Sequence, residues 1–153
     1  MIRDAPSENQ QAEERLTEDL LDQLLNTDEP EEYLLNETLV DDSLADYLNV
    51  LLKRRGLNKA DVVRATGITS SFLYEMFVGA SGAGRDTAIM LAFGLRCDLK
   101  EAQRLLKLAG VAELWPKRPR DAVIIWCLSR GKTRAECDDA LYRFGEEPLF
   151  KED

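Results

Sequence analysis

The stretch Gly56-Leu-Asn-Lys-Ala-Asp-Val-Val-Arg-Ala-Thr-Gly-Ile-Thr-Ser-Ser-Phe-Leu-Tyr-Glu-Met-Phe-Val-Gly79 reads as two short helices joined by a tight turn. Asn58-Lys-Ala-Asp61 has capping-box spacing, so each end of the motif satisfies a free amide of the other. It opens a helix that runs to Thr66. Gly67 can adopt backbone angles closed to other residues, which suits a turn between helices that cross steeply. Thr69 or Ser70 then caps a second helix through Val78, and Gly79 stops it. Val62, Ile68, Leu73 and Met76 are expected to face inward and lock the pair together. The second helix keeps its N-terminal turn and one face free.

Helices of the same style flank this pair. Ser43-Leu-Ala-Asp46 is a capping-box pattern, and Leu44, Tyr47, Leu48, Leu51 and Leu52 form one apolar stripe. Lys53, Arg54 and Arg55 fall in the last turn before Gly56, where cations complement the helix dipole, and they read as a solvated end. Ala80-Ser-Gly-Ala-Gly84 is a flexible connector. A further helix is expected from about Asp86 to Leu95. Asp98-Leu-Lys-Glu101 caps the next, which ends at Gly110. Beyond it, Trp115-Pro116 sits in a loop, and Lys117, Arg118 and Arg120 read as solvated rather than as a phosphate clamp. Arg120 to Ser129 is apolar enough for a buried helix. Thr133-Arg-Ala-Glu136 caps a last helix to Phe144. No segment alternates with the two-residue period of a strand.

Towards the N-terminus the composition changes. Residues 1–15 are polar, acidic and expected to be disordered. Thr17 resembles an N-cap, and Leu16, Leu20, Leu21, Leu24 and Leu25 follow at helical spacing. A second short helix is expected from Glu31 to Leu39. The expected architecture is therefore all-α, with an acidic arm (1–42), a five-helix domain (43–110) and a C-terminal helical hairpin (111–153) packed on it. Formal charge divides accordingly: −12 over residues 1–42, +4 over 43–110 and −1 over 111–153. The middle segment alone is basic, as a nucleic-acid-binding module should be.

Histidine is absent and the cysteines number three, Cys97, Cys127 and Cys137, with no C-x-x-C spacing. The commonest general base and metal ligand are thus missing, and the cysteines read as small packing residues. There is no phosphate loop after a strand, no H-E-x-x-H, and no nucleophile beside an obvious base. The expectation is a chain that is not an enzyme, with no catalytic residues, no metal and no cofactor. No apolar run approaches the ~18–20 residues of a membrane helix. With no signal-peptide pattern at the N-terminus, the expected location is the cytoplasm.

On these residues the segment Ser43–Gly110 resembles the lambda-repressor-like, or XRE-type, helix-turn-helix family of bacteria and their phages. The closing helices, Arg85-Asp-Thr-Ala-Ile-Met-Leu-Ala-Phe-Gly-Leu and Asp98-Leu-Lys-Glu-Ala-Gln-Arg-Leu-Leu, look like the family's own. The resemblance implies sequence-specific binding of double-stranded DNA by a transcriptional regulator, with a recognition helix at about 70–78 in the major groove. It implies that Lys59 stands where relatives often carry a phosphate-contacting glutamine. Thr69, Ser70 and Ser71 would approach the backbone or base edges, and Tyr74 and Glu75 would lie one turn on. Arg85 would sit near the sugar-phosphate backbone. A homodimer reading two half-sites is a further implication.

The departures from the family pattern define the alternative. Val63 stands where relatives usually have alanine, which predicts looser helix packing. The recognition helix has no Lys or Arg, and the loop from Gly79 to Gly84 is neutral. Phosphate contacts supply most non-specific affinity, so binding should be weak or should need a dimer. Phe72, Tyr74 and Phe77 could equally form an apolar patch for a protein partner. The rival reading is a protein-interaction module that keeps the fold without binding DNA. The acidic arm reads as solvated, with a protein partner or mimicry of DNA as its sharper alternatives.

Overall fold

The computed structural model describes residues 18–36 and 43–151. It divides into two compact units, Met1–Asp41 and Asp42–Asp153. Among the described residues all regular structure is helical and there is no strand.

The first unit contains α1 (18–25) and α2 (Pro30–Asn36). Two side chains close the end of α1: Asn26 Nδ2 donates to the Asp22 carbonyl at 2.8 Å and Thr27 Oγ1 to that of Gln23 at 2.6 Å. Proline opens α2, where its missing N–H costs nothing. Leu21, Leu24, Leu25 and Leu34 are all exposed. The expected disorder of residues 1–15, the Thr17 cap, and the end of the second helix at Leu39 lie outside the described residues.

The second unit holds α3 (Leu44–Arg54), α4 (Lys59–Thr66), α5 (Ser70–Phe77), α6 (Arg85–Gly94), α7 (Leu99–Leu108), α8 (Pro119–Ser129) and α9 (Arg134–Arg143). Local chemistry sets their ends. Asn58 with Asp61, Asp98 with Glu101 and Thr133 with Glu136 each form a reciprocal capping box. Ser43 forms only half of one: its side chain accepts from the Asp46 amide at 3.1 Å. Helix α8 begins one residue before the expected Arg120, because Pro119 fits the first helical position.

Helix α6 is the axis of the unit. It packs on α4, α7 and α9, and every residue from Ala88 to Gly94 is buried. Helix α5 leans on α3 and α4, and α7 bridges α3 and α8. The hairpin of α8 and α9 adds Ile124, Cys127, Leu128, Cys137 and Leu141 to the same core that holds Leu48, Leu51, Leu91 and Leu105. Gly94 lets α6 approach α4 closely: a Cβ there would lie 2.5 Å from Thr66 Cγ2 and 3.2 Å from Val62 Cγ1. Buried Thr66 is fully occupied, donating to the Val62 carbonyl at 2.7 Å and accepting from the Ile68 amide at 3.2 Å.

Long-range arginine pairs tie the helices together and correct two sequence expectations. Arg54 and Arg55 are not a purely solvated helix end. Arg54 reaches a carboxylate oxygen of buried Glu101 at 2.9 Å, and Arg55 bonds the other oxygen. Arg120 is likewise no loop cation. It pairs with Asp86 at 2.9 Å and donates to the Glu147 and Pro148 carbonyls, clamping α8 to α6 and to the C-terminal tail. A buried carboxylate is costly unless paired, so a guanidinium is drawn inward wherever one exists.

The tail then folds over the α4–α5 turn. Asp138 accepts from the Leu149 amide at 2.6 Å and the Phe150 amide at 3.3 Å, and pairs with Arg134 at 2.6 Å. The Phe150 ring lies 4.8 Å from the Arg134 guanidinium. The same ring covers Gly67, where a Cβ would lie only 2.7 Å from it.

Candidate nucleic-acid interface

The candidate site is built on α4, the turn 67–69 and α5. Gly67 ends α4 in the left-handed region at φ 80°, so the turn needs glycine for its backbone as well as for the Phe150 contact. Val62, Ile68, Leu73 and Met76 are all buried, as their spacing implies. Asn49 fixes the far end of α5: its Nδ2 donates to the Phe77 carbonyl at 2.8 Å and to the Ala45 carbonyl at 2.8 Å. Val63 is half-buried against the core.

What α5 leaves outside is its N-terminal turn and one stripe. Thr69, Ser70, Ser71, Tyr74 and Glu75 are all exposed. Thr69 is the N-cap residue, yet its side chain makes no cap hydrogen bond. The first-turn amides, which have no partner within the helix, therefore receive no side-chain cap. Tyr74 is 50% exposed, and the Lys59 ammonium stands 4.6 Å from its ring centre. That contact brings Lys59, at the start of α4, onto the outward side of α5. Glu75 accepts from the Ser81 hydroxyl at 2.8 Å, and its carbonyl takes the amides of Ala80 and Ser81. The loop after α5 is thus pinned to the helix rather than free.

Two expectations need correction here. Phe72, Tyr74 and Phe77 do not form one exposed apolar face: Phe77 is 3% exposed and Phe72 is half-buried, so of the three only Tyr74 is exposed, with Val78 one turn on. Phe77 follows Met76 and lies one turn past Leu73, which turns it towards the core. Arg85, for its part, is engaged inside the fold. It forms a fork with Asp121 at 2.8 and 3.1 Å, and donates to the carbonyls of Ala112 at 3.0 Å and Glu113 at 3.2 Å. Four of its five donors are taken, which leaves no fork for a phosphate.

Asp121 was invisible as a key residue in the sequence, where it looks like an ordinary first-turn acid. Burial disfavours its charged form, but hydrogen bonds from Arg85 and from the Trp115 amide outweigh that and hold its carboxyl below the usual range. The three cysteines are buried, and burial pushes all their thiols up, Cys97 to about 12. Among the described residues no group of His, Cys, Asp and Glu is placed to hold a metal ion, and no helix is long and apolar enough to cross a membrane. No family model, curated protein or solved structure matches the chain.

Proposed function

We propose that this chain is a double-stranded DNA-binding transcriptional regulator of the lambda-repressor-like helix-turn-helix type, acting in the cytoplasm through α5. One observation carries the reading: α5 is locked on its inner side by Leu73, Met76 and Phe77 while its first turn and the Ser70, Ser71, Tyr74 and Glu75 stripe stay open. A rigid helix with a free polar face is what the major groove admits. In this reading Ser70 and Ser71 meet phosphate or base edges, and Glu75 accepts from a cytosine amino group. Lys59, held over Tyr74, supplies the cation that α5 itself lacks. With so few cations, a homodimer on two half-sites would raise the affinity.

Selection of bound duplexes from a random pool tests this. Enrichment of one motif, lost at least 10-fold in affinity by Ser71→Ala with Tyr74→Ala while the helical spectrum is unchanged, supports it; losses of this order fit about 1–3 kcal/mol per base contact. The absence of any Lys or Arg on α5 favours the second reading, a protein-interaction module on the same scaffold. No enrichment at low salt would leave that second reading standing.

A further inference from the structure

We infer that the turn Trp115–Arg118 is a phosphate clamp beside the recognition helix, with Lys117 and Arg118 gripping the DNA backbone. The inference rests on the DNA-binding reading above and adds a contact from outside the five-helix segment. Arg85 positions the turn. That guanidinium opens α6, which follows α5 after the single loop 78–84. Instead of pointing to solvent, it grips the Ala112 and Glu113 carbonyls and Asp121. The same Asp121 oxygen accepts from the Trp115 amide at 2.9 Å. Residues 112–121 are therefore bolted to the N-terminal end of α6, next to the loop that leaves α5.

The turn so placed is itself well defined. The Arg118 amide donates to the Trp115 carbonyl at 3.0 Å, and Pro116 occupies the second position that proline favours in such turns. Trp115 is half exposed, with the Lys117 ammonium 5.9 Å and the Arg118 guanidinium 5.6 Å from its ring. Both cations are exposed, and neither has a salt bridge among the described residues. Arg85 and Arg120 neutralise the neighbouring carboxylates Asp121 and Asp86. Glu113, four residues before Lys117, is exposed and has no salt bridge among the described residues. An aromatic plate that holds two exposed cations on a fixed turn can accept a polyanion, with Arg118 also acting on Asp121 behind it. The major groove is about 12 Å wide and is bordered by phosphates on both sides, and these are the groups to which the inference assigns Lys117 and Arg118.

The test is a salt titration of the full chain on its selected duplex. Each phosphate contact contributes about 0.9 to the slope of log affinity against log salt, so Lys117→Ala with Arg118→Ala should lower the slope by about 1.8. Equivalently, the wild type should lose about 12-fold more affinity than the variant between 50 and 200 mM salt. The selected motif should stay the same, since phosphate contacts carry no sequence information. Lys117→Arg with Arg118→Lys should keep the wild-type slope. Lys132→Ala with Arg143→Ala makes the same change in charge on the α9 side and should also keep it. An unchanged slope in the first variant, or an equal drop in the α9 pair, overturns the clamp and leaves DNA binding by α5 intact. A wild-type chain that binds no duplex overturns both.

Discussion

Replacing Phe150 with alanine tests whether the C-terminal tail sets the α4–α5 turn. The ring is half-buried against Gly67 and the Arg134 guanidinium. Truncating a fully buried phenylalanine costs about 3–5 kcal/mol, and a ring that keeps part of its surface in water falls at or below the lower end, at about 2 kcal/mol. The lost cation–π contact adds about 0.5–1 kcal/mol. A destabilisation of about 2–3 kcal/mol is expected in urea unfolding, with the slope of the transition unchanged. The loss should also be local. The Gly67 amide, bonded to Val63, and the Ile68 amide, bonded to Thr66, should exchange with solvent sooner relative to amides of α7 than in the wild type. Phe144→Ala is the control, because that ring is 61% exposed and should change stability by less than about 0.5 kcal/mol. Gly67→Ala adds a second check. In the wild type it meets both the Phe150 ring and the φ of 80°, whereas with Phe150→Ala only the backbone strain of about 1–2 kcal/mol remains. The two substitutions should therefore couple rather than add. A Phe150→Ala variant as stable as the wild type, or one whose exchange rises evenly through all helices, would refute the role given to the tail.

Gly94→Ala should lose about 1 kcal/mol, because overpacking of about 1–3 kcal/mol against Thr66 exceeds the helix-propensity gain of about 1 kcal/mol. Thr66→Ser removes the offending methyl and keeps both hydroxyl bonds, so the double variant should melt above Gly94→Ala alone. Asp121→Asn should cost about 2–3 kcal/mol at neutral pH, below the full value for a buried pair because Arg85 is 27% exposed. The Asp121 carboxyl is held below its usual range, so its stabilisation is complete above about pH 5 and is lost as pH falls through the depressed value. The gap between wild type and Asp121→Asn in a series of acid melts should therefore close towards low pH; a gap that widens there would contradict the pairing. Cys97, Cys127 and Cys137 are buried with raised thiol pKa values, so an aromatic disulfide reagent at about pH 8 should react with them only after urea unfolding.

What the sequence disclosed and what it hid divide along one physical line. Helix ends were legible because their chemistry is local: Asn58 finds Asp61, and Thr133 finds Glu136, three residues away. The inward side of α4 and α5 was legible because helical spacing alone turns Val62, Leu73 and Met76 the same way. Even Phe77 could have been assigned to the core on that spacing. The arginines were not legible. Arg54 in the last turn of a helix looks complete as a dipole complement, yet its carboxylate, Glu101, is 47 residues away. Arg85 looks like a backbone contact after a glycine loop, yet Asp121 lies 36 residues on. Only the folded chain says which cations are already satisfied. Arg54, Arg55, Arg85, Arg120 and Arg134 all hold the unit together. Lys59 instead lies over exposed Tyr74 and the edge of the core at Phe77, and Lys117 and Arg118 lie over exposed Trp115. The net charge of a segment counts clamps and free cations alike, so the basic balance of residues 43–110 does not by itself say how much charge is left for a partner. Arg130 over Trp126 and Arg143 over Phe144 show the same arrangement on the α8–α9 side, so a cation over a surface aromatic is common on this unit, and the position of Lys59, Lys117 and Arg118 near α5 and the start of α6 is what sets those three apart.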